Sequence, residues 1–252
     1  MPNSVAGHFT RTDVWQILAF PIIPAARDLT SPAPVILYTP VYGSNFAEGP
    51  ISWDEEVIFP SQFRLIHDVK LVQGGNNGLD LILVAGREGI VSLWFEASIS
   101  RWNFVVLGEG LPQSGSNPFW GSGSVDIAAV ENDPIGYIAT CEVSCKDLLL
   151  VYSDMFLQAF HGNIVSVYLK SPGAPIGPAS LKNPSYWRRK VVDDYGPLNS
   201  SFTGTIHNIT TIVSEDKKQG FAAACMGARK FYSRNVTSHS GLTTLPFSDR
   251  QR

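Results

Sequence analysis

One spacing recurs along this chain and restricts the folds open to it. In 53–58, 102–107 and 187–192 a Trp leads a short run, and an apolar pair follows at the fourth and fifth positions after it: Val57 and Ile58, Val106 and Leu107, Val191 and Val192. Ahead of the middle Trp run stand three more short runs, 67–72, 78–85 and 89–94, parted by Gly and Asn turns. Short apolar runs bounded in this way read as consecutive antiparallel strands. Four in succession, the last led by Trp, make one blade of a β-propeller.

A second copy runs through 125–130, 137–142, 163–169 and the Trp strand 187–192. A third opens at 207–213, reaches 220–225 and fades without a Trp strand. Apolar segments at 13–20 and 33–41 join 53–59 as an earlier blade. The expectation is therefore an all-β chain, 1–252, forming a single partial propeller with blades at roughly 10–59, 67–107, 125–192 and 207–232. Propeller rings hold about four to eight blades, so three to four blades make an incomplete ring. One stretch breaks the repeat. Aligning Ala85–Val91 with the next copy leaves 143–159 without a counterpart, and that insertion is strongly apolar, with Leu148–Tyr152 and Met155–Leu157. It reads either as a short helix packed on the blade or, the favoured reading, as a retained intron, since its Val-Ser start is compatible with a splice donor.

Composition narrows the function classes. The net charge is -3 and Lys and Arg are scattered, so the chain lacks the basic footprint of a nucleic-acid binder. No apolar run approaches a membrane span. The first eight residues lack the basic start and apolar core of a secretory leader, and the expected location is cytoplasmic. Cys141, Cys145 and Cys225 are odd in number and sit in or beside apolar strands, as expected for buried or free thiols in a reducing compartment. Asn76, Asn77 and Asp80 supply too few carboxylates for a calcium cage.

In a propeller the first strand of each blade lies nearest the axis, so its start is where polar groups converge. Those starts are His67-Asp68, Val125-Asp126 and His207-Asn208. His161 falls where Glu88 stands in the preceding copy. Imidazole serves as a general base or as a neutral metal ligand; equally, these His and Asp side chains can simply bond the neighbouring blade, as buried polar groups must. Arg87 and Glu88 read first as an ion pair capping a turn. Trp53, Trp102 and Trp187 read as blade packing.

At 67–69, 83–89, 160–163 and 202–208 the chain resembles the N-terminal propeller of fungal aldos-2-ulose (pyranosone) dehydratases. The motifs are His67-Asp68-Val69, Leu83-Val84-Ala85-Gly86-Arg87-Glu88-Gly89, Phe160-His161-Gly162-Asn163 and Phe202-Thr203-Gly204-Thr205-Ile206-His207-Asn208, within a likeness spanning roughly 53–227. That resemblance implies a lyase removing water from a small-molecule keto-sugar by metal-assisted β-elimination. It implies a divalent metal, with zinc the first choice, held by His67, His161 and His207. It also implies His67 or His207 as base, Arg87 steadying an enolate, and Glu88, Asn163 and Asn208 meeting substrate. The family joins its propeller to cupin and lectin-like domains, so further cupin domains or a second copy of the chain are the protein partners implied. The rival class is a non-catalytic propeller that binds carbohydrate or protein.

Overall fold

The computed structural model describes residues 3–22, 31–44, 46–109, 121–130, 132–142, 163–194, 206–213, 219–225 and 228–233, without side chains for Phe46, His207, Asn208 and positions beyond 211. The first sheet is β1 (Asn3–Gly7), β2 (Gln16–Phe20), β3 (Ala33–Tyr42) and β4 (Pro50–Phe63). The second is β5 (Asp68–Asn76), β6 (Leu79–Gly86), β7 (Gly89–Glu96) and β8 (Arg101–Gly108). The third is β9 (Ser122–Val130), β10 (Asp133–Glu142), β11 (Ile164–Lys170) and β12 (Trp187–Asp194). β13 (Ile206–Val213), β14 (Gln219–Cys225) and β15 (Ala228–Ser233) form the last. Each sheet is an antiparallel meander in chain order. The first strands gather together: β1 lies beside β5, β5 beside β9, and β9 beside β13. This is the blade arrangement of an incomplete propeller.

Core packing follows from that arrangement. Within β6, Ile82 and Val84 pack with Leu18, Phe20 and Leu37 of the first sheet. Leu81, Leu83 and Ala85 point the other way, onto Ile138 and Tyr168 of the third. Alternate side chains leave opposite faces of a strand, and here both faces are covered. Hence β6 is apolar from Leu81 to Gly86 and buried along its whole length. Burying each such Leu or Ile contributes about 1.5–3 kcal/mol. By contrast β2 alternates buried and half-buried positions, because only the face carrying Leu18 and Phe20 meets another blade.

The Trp runs lie in the outer strands β4, β8 and β12, and their shared spacing hides three environments. Trp53 is exposed, Trp102 packs at the margin of a core cluster, and Trp187 is buried. The Trp187 indole donates to Ser180 O at 2.9 Å. One boundary differs from the sequence expectation. The first sheet begins at Asn3 rather than near position 10, because Asn-Ser-Val-Ala-Gly has no apolar run and becomes a strand only by pairing with β2. The insertion 143–159 lies outside the described residues, as does His161. Around it the ladder stays closed. Glu142 pairs with Ile164 as Gly86 pairs with Gly89, and the Asn163 N–H donates to Glu142 O at 3.0 Å.

Candidate functional site

Strand register places the blade starts at equal offsets. Asp68 stands opposite Ala85, Asp126 opposite Ala139 and Asn208 opposite Ala224. His67, Val125 and His207 therefore each precede the matching position, and Asn3 holds it in the first sheet, where Ser4 faces Ala19. In an antiparallel meander the start of strand one lies at the same end as the turn between strands two and three. His67, the Arg87-Glu88 turn, Asn163 and the backbone of His207 and Asn208 accordingly share one end of the blades.

Each described group at this end reaches its neighbour. The Asn3 amide donates to His67 O. The His67 ring bonds through Nδ1 to Gly123 O, in β9 of the next blade. A carbonyl only accepts, so Nδ1 carries the proton, and whenever the ring is neutral its lone pair is on Nε2. Asp68 Oδ2 accepts from Ser124 Oγ at 2.7 Å and from the Val125 N–H at 3.0 Å. One blade later, Asp126 Oδ2 accepts from the Thr211 N–H at 2.7 Å and its hydroxyl at 3.0 Å, while Lys70 reaches Oδ1 at 2.5 Å. One carboxylate thus ties three successive blades. These bonds are the blade-to-blade links that buried polar groups require.

Arg87 and Glu88 form the turn between β6 and β7. The Arg87 N–H donates to Arg64 O at 3.1 Å. Glu88 accepts from the Arg64 N–H at 3.1 Å and from its guanidinium at 3.4 Å. Burial raises the Glu88 carboxyl above the ordinary glutamate value, against the lowering effect of those Arg64 contacts. Gly121 closes onto this turn. It sits at φ +96°, and a Cβ there would lie 2.3 Å from Gly86 O. Only glycine accepts both constraints.

Sequence reasoning overlooked a second polar cluster at this end. Glu142 is fully buried, and both its oxygens accept from Arg189 Nε at 2.9 Å while the Tyr168 hydroxyl donates at 3.2 Å. The Arg189 guanidinium is held above its ordinary value chiefly by that hydrogen bond. The readable signal was a carboxylate closing the apolar strand 137–142, at the position Gly86 fills one blade earlier. Among the described residues, no three His, Cys, Asp or Glu side chains gather as a metal site. His161 is outside those residues, and only the backbone of His207 is within them. No helix among the described residues is long and apolar enough to cross a membrane.

Residues 1–155 match the family model described as the β-propeller domain of aldos-2-ulose dehydratase. The chain is similar to the aldos-2-ulose dehydratase of Phanerodontia chrysosporium, 37% identical over 228 residues. That match takes in 88% of this chain and 22% of the relative, so the chain spans under a quarter of the relative's length. A crystal structure of a protein from Lactobacillus plantarum aligns over 96% of this chain and 58% of its own at 11% identity, but with a TM-score of 0.40 the likeness is too loose to bear on the fold. By its family match and by its relative, the chain belongs to the aldos-2-ulose dehydratase β-propeller family.

Proposed function

We propose that this chain is the propeller portion of a keto-sugar dehydratase, with its reaction centre at the blade starts around His67. The observation that carries this reading is the His67 ring itself. Metal-binding imidazoles characteristically donate their second N–H to a carbonyl or carboxylate, which fixes the tautomer and turns the other nitrogen towards the ion. The Nδ1 bond to Gly123 O is a bond of that kind. His67 therefore fits either a ligand or a base, and His161 and His207 are the residues that would complete a set. A divalent ion such as zinc would supply Lewis acidity, polarising the ketone and acidifying the adjacent C–H.

The remaining work falls to side chains. Whichever of His67 and His207 is not a ligand takes the α-proton at its unprotonated nitrogen. Arg87 offers positive charge to the enolate oxygen. Glu88, its carboxyl pushed up by burial, is suited to protonate the departing hydroxyl, and Asn163 and Asn208 would orient the sugar. The proton lost from carbon and the hydroxide lost from its neighbour together make the water released.

The test is an assay of water loss from glucosone or anhydrofructose, comparing the full chain with a His67→Ala, His207→Ala double variant. Turnover that disappears in the folded double variant supports the reading. Turnover unaffected by it would leave the non-catalytic binding propeller in front.

A further inference from the structure

We infer that the outer groove between the first two blades is a carbohydrate-binding site, separate from the blade starts and open to one to three sugar rings of a neutral saccharide. Blades diverge away from the axis, and between β4 and β8 that divergence leaves a cleft of about 530 Å³. Its volume lies within the range of small-molecule sites.

Aromatic rings form the base of the cleft in fixed orientations. Phe59 is buried and meets Trp102 edge to face at 6.3 Å and Phe104 at 5.6 Å. Phe63 holds Phe104 from below at 5.3 Å, and Phe95 holds Trp102 at 5.7 Å. Rings locked by edge-to-face contact lose little freedom when a ligand arrives. Phe104 nevertheless keeps 43% of its surface exposed.

Polar groups border the rings. Glu56 and Arg101 both line the cleft, and neither charged group has an ion-pair or hydrogen-bond partner among the described residues. Asn103 donates to Arg101 O at 3.2 Å and keeps its side-chain oxygen as an acceptor, while Gln62 uses its oxygen on the Ser61 N–H at 3.0 Å and keeps its amide donors. One cation, one anion and two amides sum to no net charge. A phosphate or polyanion would meet the Glu56 carboxylate, and an aliphatic ligand would strip water from four polar groups without replacement. A pyranose answers both demands: its C–H face covers an aromatic ring and its hydroxyls both donate and accept around the edge.

The experiment titrates the full chain with maltopentaose and with cellopentaose, following tryptophan fluorescence and saturation-transfer NMR. At least one oligomer is expected to bind saturably. Phe104→Ala should weaken that binding about tenfold, as for one lost aromatic contact. Arg101→Ala and Glu56→Gln, both at exposed positions, should weaken it about threefold to tenfold while leaving the fold intact, so the test stands even if Phe104→Ala fails to fold. His67→Ala should leave binding unchanged, which separates this groove from the proposed reaction centre. Absence of saturable binding by both oligomers, full affinity in Arg101→Ala and Glu56→Gln, or loss of binding in His67→Ala would each overturn the assignment.

Discussion

Replacing Asp126 by Ala removes the carboxylate that joins three blades. Asp126 is 4% exposed and accepts from the Thr211 N–H at 2.7 Å, the Thr211 hydroxyl at 3.0 Å and the Ile127 N–H at 2.9 Å, with Lys70 at 2.5 Å. These contacts differ in worth. The Lys70 side chain is 42% exposed and can turn to water, so that ion pair contributes about 0–1 kcal/mol. The Thr211 hydroxyl has a single proton and can give it to Ile127 O at 2.9 Å instead. The main loss is the Thr211 N–H, whose charge-assisted bond and subsequent desolvation amount to about 1–3 kcal/mol. The expected sum is about 1–4 kcal/mol, which for a chain of this size lowers Tm by roughly 2–16 °C. Asp126→Asn keeps an oxygen for Thr211 and should lose about half as much. Thermal unfolding with hydrogen-exchange mass spectrometry is the assay. Exchange should rise first in Ile206–Val213, because that strand loses its anchor. Unchanged protection there, with a Tm shift below about 1 °C, would refute the reasoning.

Other expectations follow from the same contacts. Arg189→Met strands the buried Glu142 carboxylate and should cost about 3 kcal/mol in urea unfolding, whereas adding Glu142→Gln should recover most of it; a double variant as unstable as the sum of its parents would contradict the pairing. Gly108→Ala should destabilise by about 1–3 kcal/mol, since the added Cβ would lie 2.0 Å from the buried Tyr168 ring. Burial works to raise the Asp133 carboxyl, but the Lys170 hydrogen bond and the Gly177 and Ile135 N–H groups together hold it below the ordinary aspartate value. Its stabilisation is therefore present above about pH 3.9 and lost as pH falls through the depressed value; Asp133→Asn should flatten that part of the acid-unfolding curve. Glu88 has the opposite sign, because its raised carboxyl favours the folded state when protonated and its contribution is lost as pH rises through the folded value. In Glu88→Gln the stability decline above the ordinary glutamate range should disappear.

Blades were legible where both faces of a strand are buried. Leu81–Ala85 reads as a continuous apolar run, and Ile138–Cys141 as one broken only by Thr140, because a neighbouring blade covers each side. The Trp spacing located β4, β8 and β12 although Trp53 is exposed and Trp187 buried, so it marked strand position rather than burial. β1 was not legible, since Asn3–Gly7 owes its structure to β2 and carries no pattern of its own. At the site, equal offsets of His67 and His207 followed from the repeat. The partners of the starts did not: Gly123, Ser124 and Thr211 lie 56 to 85 residues from the groups they satisfy. No local spacing records such pairs. The outer groove was hidden for a related reason, because Phe59 and Phe104 belong to different blades and each reads alone as ordinary strand hydrophobicity.

The central claim, a reaction centre built on His67, is tested most directly by anomalous diffraction at the zinc edge from crystals of the zinc-loaded chain. A peak about 2.0–2.1 Å from His67 Nε2, with the His207 or His161 ring also in contact and the Nδ1 bond to Gly123 O retained, is the predicted result. A peak elsewhere, or none beside His67 at full zinc loading, would contradict it.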